Sequence, residues 1–193
     1  MRDDAIVWVD LETTGSADDS EIIEIGSVIT NTKDFSILSE FSQVIRCSAA
    51  GIERIRANPV VLNMHTKNGL LAELERGDGI PLWHADDLMS SWITGVVGAS
   101  TEHIPLGGSG VSHFDRKFIR RDLPKVDKRL SYWAYDVGVL RRTWKLLGLP
   151  TLDDEGKDHR ALADIILHVE EFKFYTNALS EYKAQFRPEV ARQ

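Results

Sequence analysis

The sequence predicts an α/β fold in which a mixed five-stranded sheet, beginning with an antiparallel meander, is flanked by helices. Three strand-like runs open the chain, and the short polar turns between them are typical of consecutive antiparallel strands. Helical patterns then alternate with short strands, which indicates a sheet with helices packed on it. The chain has 193 residues, 42% of them hydrophobic, which is enough for one well-buried domain. We therefore expect a single domain over residues 1–193.

The elements are expected in the following order. The first strand covers residues 5–10, which are β-branched and aromatic and have strand length. The next two strands are expected at 22–30 and about 35–46. After them we expect helices near 58–76 and 84–98, a strand near 103–107, a helix near 114–122, a strand near 133–137, a helix near 137–147 and a long helix over about 159–183. The stretch from Arg76 to Pro81 is a loop within the domain, because too little sequence lies on either side to make two cores.

Two features of the sequence have two interpretations each. The run Gly107-Gly108-Ser109-Gly110 is either a backbone cradle for a phosphate or a plain turn before the next helix. The turn is favoured, because no Lys-Ser/Thr pair follows as a nucleotide-binding loop requires. Glu24 stands between isoleucines on an expected strand. It is either close to a functional site or a structural carboxylate paired with a base.

The charge and the cysteine content exclude some classes of protein. The formal net charge is −7, so there is no overall basic field to grip a long nucleic acid. Cys47 is the only cysteine, so no disulfide forms within the chain, and a reducing cytoplasm is expected. The first residues lack a basic segment followed by a long apolar one, and no apolar stretch has membrane-spanning length. We expect a cytoplasmic protein that does not bind membranes.

A pair of carboxylates at the end of the first strand predicts a metal site. Asp10 and Glu12 are two residues apart, so on a strand their side chains point to the same face. Carboxylates this close repel each other unless a cation lies between them. With 30 acidic residues in the chain, such pairs arise roughly five times by chance. The pair gains weight from Asp115 in HFDRKFI and Asp164 in HRALADI.

The spacing in HRALADI places a histidine outside the last helix. A helix turns about 100° per residue, so residues five apart lie about 140° apart around it and do not share a face. The arrangement that brings both side chains to one site has Asp164 in the first turns and His159 on the preceding loop. Asp158 is then expected to be the N-cap. Taken alone, His159 could also be an exposed histidine near the start of a helix. Asp115 could be an acid that complements the dipole at a helix N-terminus, and Asp164 a solvated acid on a helix.

Read in order, DLETTG, HFDRKFI and HRALADI resemble the three exonuclease motifs of the DEDDh family of 3′→5′ exonucleases. The segments IIEIGSVIT, MHTKNGL and YDV at residues 135–137 resemble the oligoribonuclease branch of that family. The resemblance extends from about residue 5 to about residue 175. It implies a ribonuclease H-like fold.

The resemblance also implies the chemistry of the site. The metal ligands would be Asp10, Glu12, Asp115 and Asp164, and His159 would be the general base. Hard oxygen donors without thiolates or paired histidines favour Mg²⁺ or Mn²⁺ over Zn²⁺. Two such ions per site would act on the scissile phosphate.

Residues that contact substrate are implied less completely. The branch caps the 5′ end of short substrates with a Ser, a His, an Arg and a Tyr that reaches from the partner subunit. Trp133 stands where the Arg is expected, and Ser16 stands where an apolar wedge is usual. GGSGVSHFD has one extra residue, so either Ser109 or Ser112 takes the place of the Ser. The resemblance thus implies substrate contacts at Leu11, Thr13, His65, Ser109, Ser112, Tyr132 and Trp133.

The sequence as a whole indicates a homodimeric, metal-dependent 3′→5′ exoribonuclease that releases 5′-mononucleotides from short single-stranded RNA. A broader single-strand exonuclease that also accepts DNA, as proofreading enzymes do, is the alternative within enzymes. An inactive ribonuclease H-like interaction module is the alternative outside them. It is disfavoured, because an inactive module has no need to keep four mutually repelling carboxylates together.

Overall fold

One mixed sheet organises the protein. The computed structural model describes residues 4–100, 103–152 and 158–185. Within these ranges the strands are β1 (Ala5–Thr13), β2 (Ile22–Asn31), β3 (Ile37–Val44), β4 (Ile104–Gly108) and β5 (Leu130–Asp136). Their order is β3-β2-β1-β4-β5. The pairs β1–β2 and β2–β3 are antiparallel, and β1–β4 and β4–β5 are parallel. The predicted fold class, with its antiparallel meander first, is confirmed.

Helices cover both faces of the sheet. In the described part of the chain they are α1 (Ala49–Ala57), α2 (Pro59–Lys67), α3 (Leu70–Glu75), α4 (Leu82–Val97), α5 (Asp115–Asp122), α6 (Pro124–Asp127), α7 (Val137–Leu146) and α8 (Ala161–Gln185). The helices predicted near 84–98, 114–122, 137–147 and 159–183 correspond to α4, α5, α7 and α8. Of the helices that the structure describes, none combines the length and apolar character needed to cross a membrane.

The single helix expected near 58–76 is wrong, because it is two helices. The chain turns between α2 and α3 at Gly69, whose φ of 80° lies in the left-handed region that glycine adopts readily. Helix α1 was not expected. It begins after Ser48, whose side chain accepts a hydrogen bond from the Gly51 amide, and it ends at Asn58, whose side chain caps α2. The four-residue α6 is too short to show a periodic pattern in the sequence.

Alternate residues of β1 belong to two cores on opposite faces of the sheet. Val7 and Val9 pack in a core that includes residues of α4 and α5. Ile6 and Trp8 pack on the other face, in a core that includes Phe172 and other residues of α8. Each β1 side chain named here is 1% exposed or less, so the strand is central and both of its faces are covered.

Close backbone contact fixes where α8 starts on the sheet. A Cβ atom added to Gly26 of β2 would lie 2.1 Å from the carbonyl carbon of Ala161. Only glycine permits this approach. Because Gly26 is paired with Asp10 across β1 and β2, the first turns of α8 lie close to the acidic end of β1.

The glycine run at residues 107–110 forms the end of a strand and a turn. A Cβ atom at Gly107 would lie 2.3 Å from the ring of Trp8, so glycine is required there for packing. Gly110 has a φ of 73°, and its amide donates a 2.9 Å hydrogen bond to Oδ1 of Asp136. These contacts agree with the interpretation of the run as a turn that leads from β4 towards α5.

Candidate active site

The acidic pair lies on β1, which extends three residues beyond its predicted end at Asp10. Both carboxylates are therefore on one strand, and both line the same cleft. The side chain of Asp10 is 18% exposed, whereas Glu12 is 7% exposed as a residue. The β-branched and aromatic residues before the pair make the strand, and its alternation turns Asp10 and Glu12 the same way.

Asp115 begins α5 and is turned towards β1. Its Oδ1 accepts a 3.0 Å hydrogen bond from the backbone amide of Leu11, the residue between the two acids of β1. Asp115 is 3% exposed. Its pKa is raised well above the ordinary value of 3.8, mainly by burial and then by the charge of Asp10.

Asp164 and His159 approach the same cleft from α8 and the loop before it. Asp164 lies in the first turns of the helix, and His159 precedes the helix by two residues. The Nδ1 atom of His159 is 3.9 Å from Oδ2 of Asp164. The predicted placement of the histidine on the loop is confirmed. The expectation that Asp158 is the N-cap is wrong, because α8 starts at Ala161 and the Ala161 amide donates to Glu24 instead.

The four carboxylates and the histidine line one cleft of about 250 Å³. Single ligand atoms of Glu12, His159 and Asp164 lie within 4.8 Å of one another. Burial raises the pKa of Glu12 to about 9, and the charges of Asp10 and Asp164 add to that increase. Such an accumulation of buried negative charge is unfavourable without a cation, so the cleft has the donors and the electrostatics of a divalent-metal site.

The expected substrate residues near this cleft are divided between three hollows. Leu11 and Ser109 line the carboxylate cleft. Thr13 lines an adjacent apolar hollow of about 410 Å³, to which Leu11 and Phe114 also contribute. Ser112 lies in a third hollow of about 330 Å³, beside Tyr135. Of the two serines between which the sequence did not decide, Ser109 is the one beside the carboxylates.

Three further expected substrate residues lie away from the cleft surface. His65 is fully buried, with Nε2 donating to the Thr13 carbonyl at 3.3 Å and lying 4.0 Å from Oε2 of Glu12. Burial lowers the pKa of His65. Tyr132 and Trp133 are on β5 at the edge of the sheet and are 88% and 42% exposed. Their contacts with substrate remain predictions.

Sequence reasoning missed one histidine of the cleft. His168 of α8 is 3% exposed and lines the cleft, with Nδ1 3.8 Å from Oδ1 of Asp10. It follows Asp164 by four residues, which places both on one face of the helix. That spacing was present in the sequence and could have identified it. Glu24, which the sequence left open, is a paired carboxylate that accepts hydrogen bonds from Arg160 at 2.7 and 3.0 Å.

Comparison with known proteins identifies close relatives by sequence. No family profile matches the chain. It is 34% identical over 182 residues to an oligoribonuclease of Corynebacterium diphtheriae, a match that covers 92% of this chain and 84% of the relative. It is 35% identical over 183 residues to an oligoribonuclease of Mycobacterium sp. (strain KMS), covering 91% of this chain and 80% of that one.

Several solved structures share the fold of this chain. Escherichia coli exonuclease I in complex with a dT13 oligonucleotide matches with a TM-score of 0.63 at 13% identity, over 93% of this chain and 43% of that one. The chain thus spans less than half of exonuclease I. The nuclease domain of 3′hExo, a DEDDh family member bound to rAMP, matches with a TM-score of 0.56 at 16% identity, over 94% of this chain and 92% of that one. The sequence relatives and this shared fold agree with the motifs, and the chain belongs to the oligoribonuclease family of DEDDh 3′→5′ exonucleases.

Proposed function

We propose that the protein hydrolyses short single-stranded RNA from the 3′ end and releases 5′-mononucleotides. The observation that carries the proposal is the convergence of four carboxylates and His159 in one cleft, in a chain related to oligoribonucleases along most of its length. The net charge of −7 supports a short substrate, because a long backbone would be repelled outside the site.

The carboxylates fit divalent cations. The donors are hard oxygen atoms, which suit Mg²⁺ or Mn²⁺. Burial, followed by the charges of neighbouring carboxylates, raises the pKa values of Glu12 and Asp115, and a bound cation would offset both effects. We propose two ions per site, held by Asp10, Glu12, Asp115 and Asp164. When bound, such ions neutralise the charge that develops on the phosphate and the leaving oxygen.

The proposed role of His159 is to accept a proton from the attacking water. Its side chain is 49% exposed, so it can face both the cleft and an incoming substrate. As the water oxygen bonds to the terminal phosphorus, the neutral imidazole takes the proton. The bond from phosphorus to the 3′ oxygen of the preceding nucleotide breaks, and that oxygen takes up a proton from solvent. The products are one 5′-mononucleotide and an RNA shortened by one nucleotide.

The walls beside the carboxylates would orient the terminal nucleotide. Leu11 and Phe114 are apolar and adjoin both the carboxylate cleft and the hollow that Thr13 lines, so a base can pack there while its phosphate meets the acids. Among the expected substrate residues with a polar side chain, Ser109 is the one that lines the carboxylate cleft. The imidazole of His65 is buried, so its effect on the substrate would be indirect. It would hold the Thr13 backbone and the Glu12 carboxylate in position.

Trp133 bears on the substrate length that the protein prefers, and the sugar is tested in the same assay. An indole in place of an arginine stacks on a base without regard to sequence, at about 1–3 kcal/mol per stacked base. We therefore propose a gentler decline in rate from dinucleotides to longer RNA than a phosphate-capping arginine would give. Digestion of 5′-labelled RNA and DNA ladders of about 2 to 20 nucleotides, side by side, tests both points. Equal rates on DNA would favour the broader single-strand exonuclease.

A symmetric homodimer with Tyr132 near the neighbouring active site is proposed for the assembly. Tyr132 and Trp133 project from the edge strand β5, and exposed apolar residues of α7, Val139 and Leu146, are nearby in the chain. Exposed aromatic side chains of this kind are enriched at interfaces. Tyr132→Ala should preserve the dimer and weaken the binding of short RNA, whereas Trp83→Ala, at an exposed site on α4, should change neither. A monomer by light scattering with full activity would refute the proposal.

We propose that residues 1–193 act as one catalytic domain in a reducing cytoplasm. The hydrophobic cores packed on the sheet include residues from β1 to α8, which supports one domain. Burial and the neighbouring Glu21 raise the pKa of the Cys47 thiol to about 12, so this cysteine is a poor nucleophile. Cys47→Ser should leave activity unchanged in a reducing buffer, and a loss of activity would contradict this assignment.

A further inference from the structure

The loop that carries His159 is held by a network outside the carboxylate cleft. We call this network the α8 clamp, and its members are Glu24, Asn68, Glu73 and Arg160. Arg160 is the residue between His159 and the start of α8, and it is also the centre of the clamp. None of the four lines the carboxylate cleft among the residues that the structure describes.

The half of the clamp that lies against the sheet is an ion pair between Arg160 and the buried carboxylate of Glu24. Glu24 of β2 is 2% exposed and accepts hydrogen bonds from Nη2 of Arg160 at 2.7 Å and from Nε at 3.0 Å. Its second oxygen accepts the amide of Ala161 at 2.9 Å, so Glu24 also caps α8. A buried carboxylate needs such partners, and both of its oxygen atoms are used by the residues that follow His159.

The outer half ties the same arginine to the α2–α3 region. Nη1 of Arg160 is 2.9 Å from Oε1 of Glu73. The side-chain amide of Asn68 donates a hydrogen bond to the carbonyl oxygen of His159 itself. Two separate parts of the chain, one in the sheet and one in the helices, therefore hold the backbone from the His159 carbonyl to the Ala161 amide.

The backbone of His159 requires such support. Its φ of 49° lies in the left-handed region, which costs conformational free energy for any residue other than glycine. Its side chain is about half exposed, so contacts of the imidazole alone do not fix it. A residue keeps such a backbone conformation only when contacts with the surrounding structure hold it there. The α8 clamp supplies those contacts.

We propose that Arg160 is a positioning residue for the reaction, which holds His159 over the carboxylates through its contacts with Glu24 and Glu73. This inference rests on the proposed function. Arg160 is assigned to positioning and not to substrate binding, because its guanidinium already contacts two carboxylates and its side chain is only 30% exposed. Asn68 acts in the same way through the carbonyl of His159.

A double-mutant cycle tests the inference. In the otherwise native protein, Arg160→Lys should lower kcat by about 10-fold or more on a short RNA and change KM by less than about 3-fold, because lysine cannot bridge both glutamates. In a His159→Ala background the same substitution should change kcat by less than about 3-fold, because the group that it positions is gone. Equal losses in both backgrounds, or no loss in either, would overturn the proposal.

The matched control is Arg56→Lys. Arg56 also bridges two glutamates, Glu53 at 2.6 Å and Glu75 at 2.8 Å, but it does so on the surface away from the cleft. The substitution Arg56→Lys should leave kcat unchanged both in the native protein and in the His159→Ala background. If Arg160→Lys does not fold, Asn68→Asp replaces it, since aspartate keeps an oxygen for the Leu70 amide and has no donor for the His159 carbonyl. The same non-additive loss of kcat is expected, and an additive one would overturn the proposal.

A second measurement separates this inference from the proposed function. The imidazole resonance of His159 in an NMR spectrum should shift and broaden in Arg160→Lys or Asn68→Asp and stay unchanged in Arg56→Lys. This result does not depend on catalysis. An absence of nuclease activity in the wild type would refute the proposed function alone, whereas an unchanged His159 resonance in both clamp variants would refute the positioning role alone.

Discussion

Replacing Glu12 by glutamine should stabilise the metal-free protein. The pKa of Glu12 is raised from 4.5 to about 9, because the carboxyl is buried and faces Asp10 and Asp164. The folded protein therefore binds the proton of Glu12 more tightly than the unfolded chain does. The contribution of Glu12 to the free energy of unfolding is fully present below pH 4.5 and is lost as the pH rises towards 9. Glutamine has the same shape without the charge, so the variant should not show that loss.

The size of the effect follows from the two pKa values. At pH 7 the folded protein keeps a proton that the unfolded chain has released, and the gap from 4.5 to 7 corresponds to about 3 kcal/mol at about 1.4 kcal/mol per pH unit. At pH 8.5 the same reasoning gives about 5 kcal/mol, and near pH 5 less than about 1 kcal/mol. Glu12→Gln should therefore exceed the wild type by these amounts in free energy of unfolding.

Urea unfolding in EDTA at pH 5, 7 and 8.5 measures the difference. Glu40→Gln, at an exposed position on β3, is the control and should show no pH-dependent gain. Addition of Mn²⁺ should reverse the order, because the wild type gains stability by binding and the variant has lost a ligand. The reasoning fails if metal-free Glu12→Gln is less stable than the wild type at pH 8.5, or if the difference does not grow with pH.

Three further substitutions have defined outcomes. Asp10→Ala should abolish nucleotide release and leave the metal-free protein at least as stable in thermal unfolding, since a repulsion is relieved; a folded, active variant would exclude Asp10 as a ligand. His159→Ala should lower kcat by about 10²- to 10⁴-fold while RNA affinity and the metal-induced rise in Tm are retained, and loss of that rise would make the histidine a ligand. Trp133→Arg should sharpen the preference for dinucleotides in the ladder assay; if the wild type already cleaves only dinucleotides, the expected role of the indole is wrong.

The sequence predicted those parts of the fold that depend on local residue type, run length and turns. The three strand-like runs and the short polar turns between them predicted the meander of β1 to β3, and the strand geometry of β1 predicted that Asp10 and Glu12 share one face. The helical angle between His159 and Asp164 was enough to place the histidine on a loop. Helix α1 was missed because its boundaries depend on the capping side chains of Ser48 and Asn58 and not on a hydrophobic stripe.

Other parts of the site could not be predicted because they depend on contacts distant in sequence. Glu24 and Arg160 are 136 residues apart, and nothing in either local pattern indicates that one pairs with the other. The choice between Ser109 and Ser112 depends on the turn at Gly110, where the left-handed backbone separates the two serines into different hollows. His168 is the exception, because its spacing from Asp164 could have been recognised.

The measurement that tests the central claim most directly is the release of nucleotides from a 5′-labelled short RNA with and without divalent metal. In EDTA the protein should release nothing. Addition of Mg²⁺ or Mn²⁺ should restore stepwise shortening from the 3′ end, with 5′-mononucleotides as products and a rise in Tm over the same range of metal concentration. Undiminished hydrolysis in EDTA, or no hydrolysis of short RNA with either metal, would contradict the claim that the carboxylates of this cleft hold the ions of a 3′→5′ exoribonuclease.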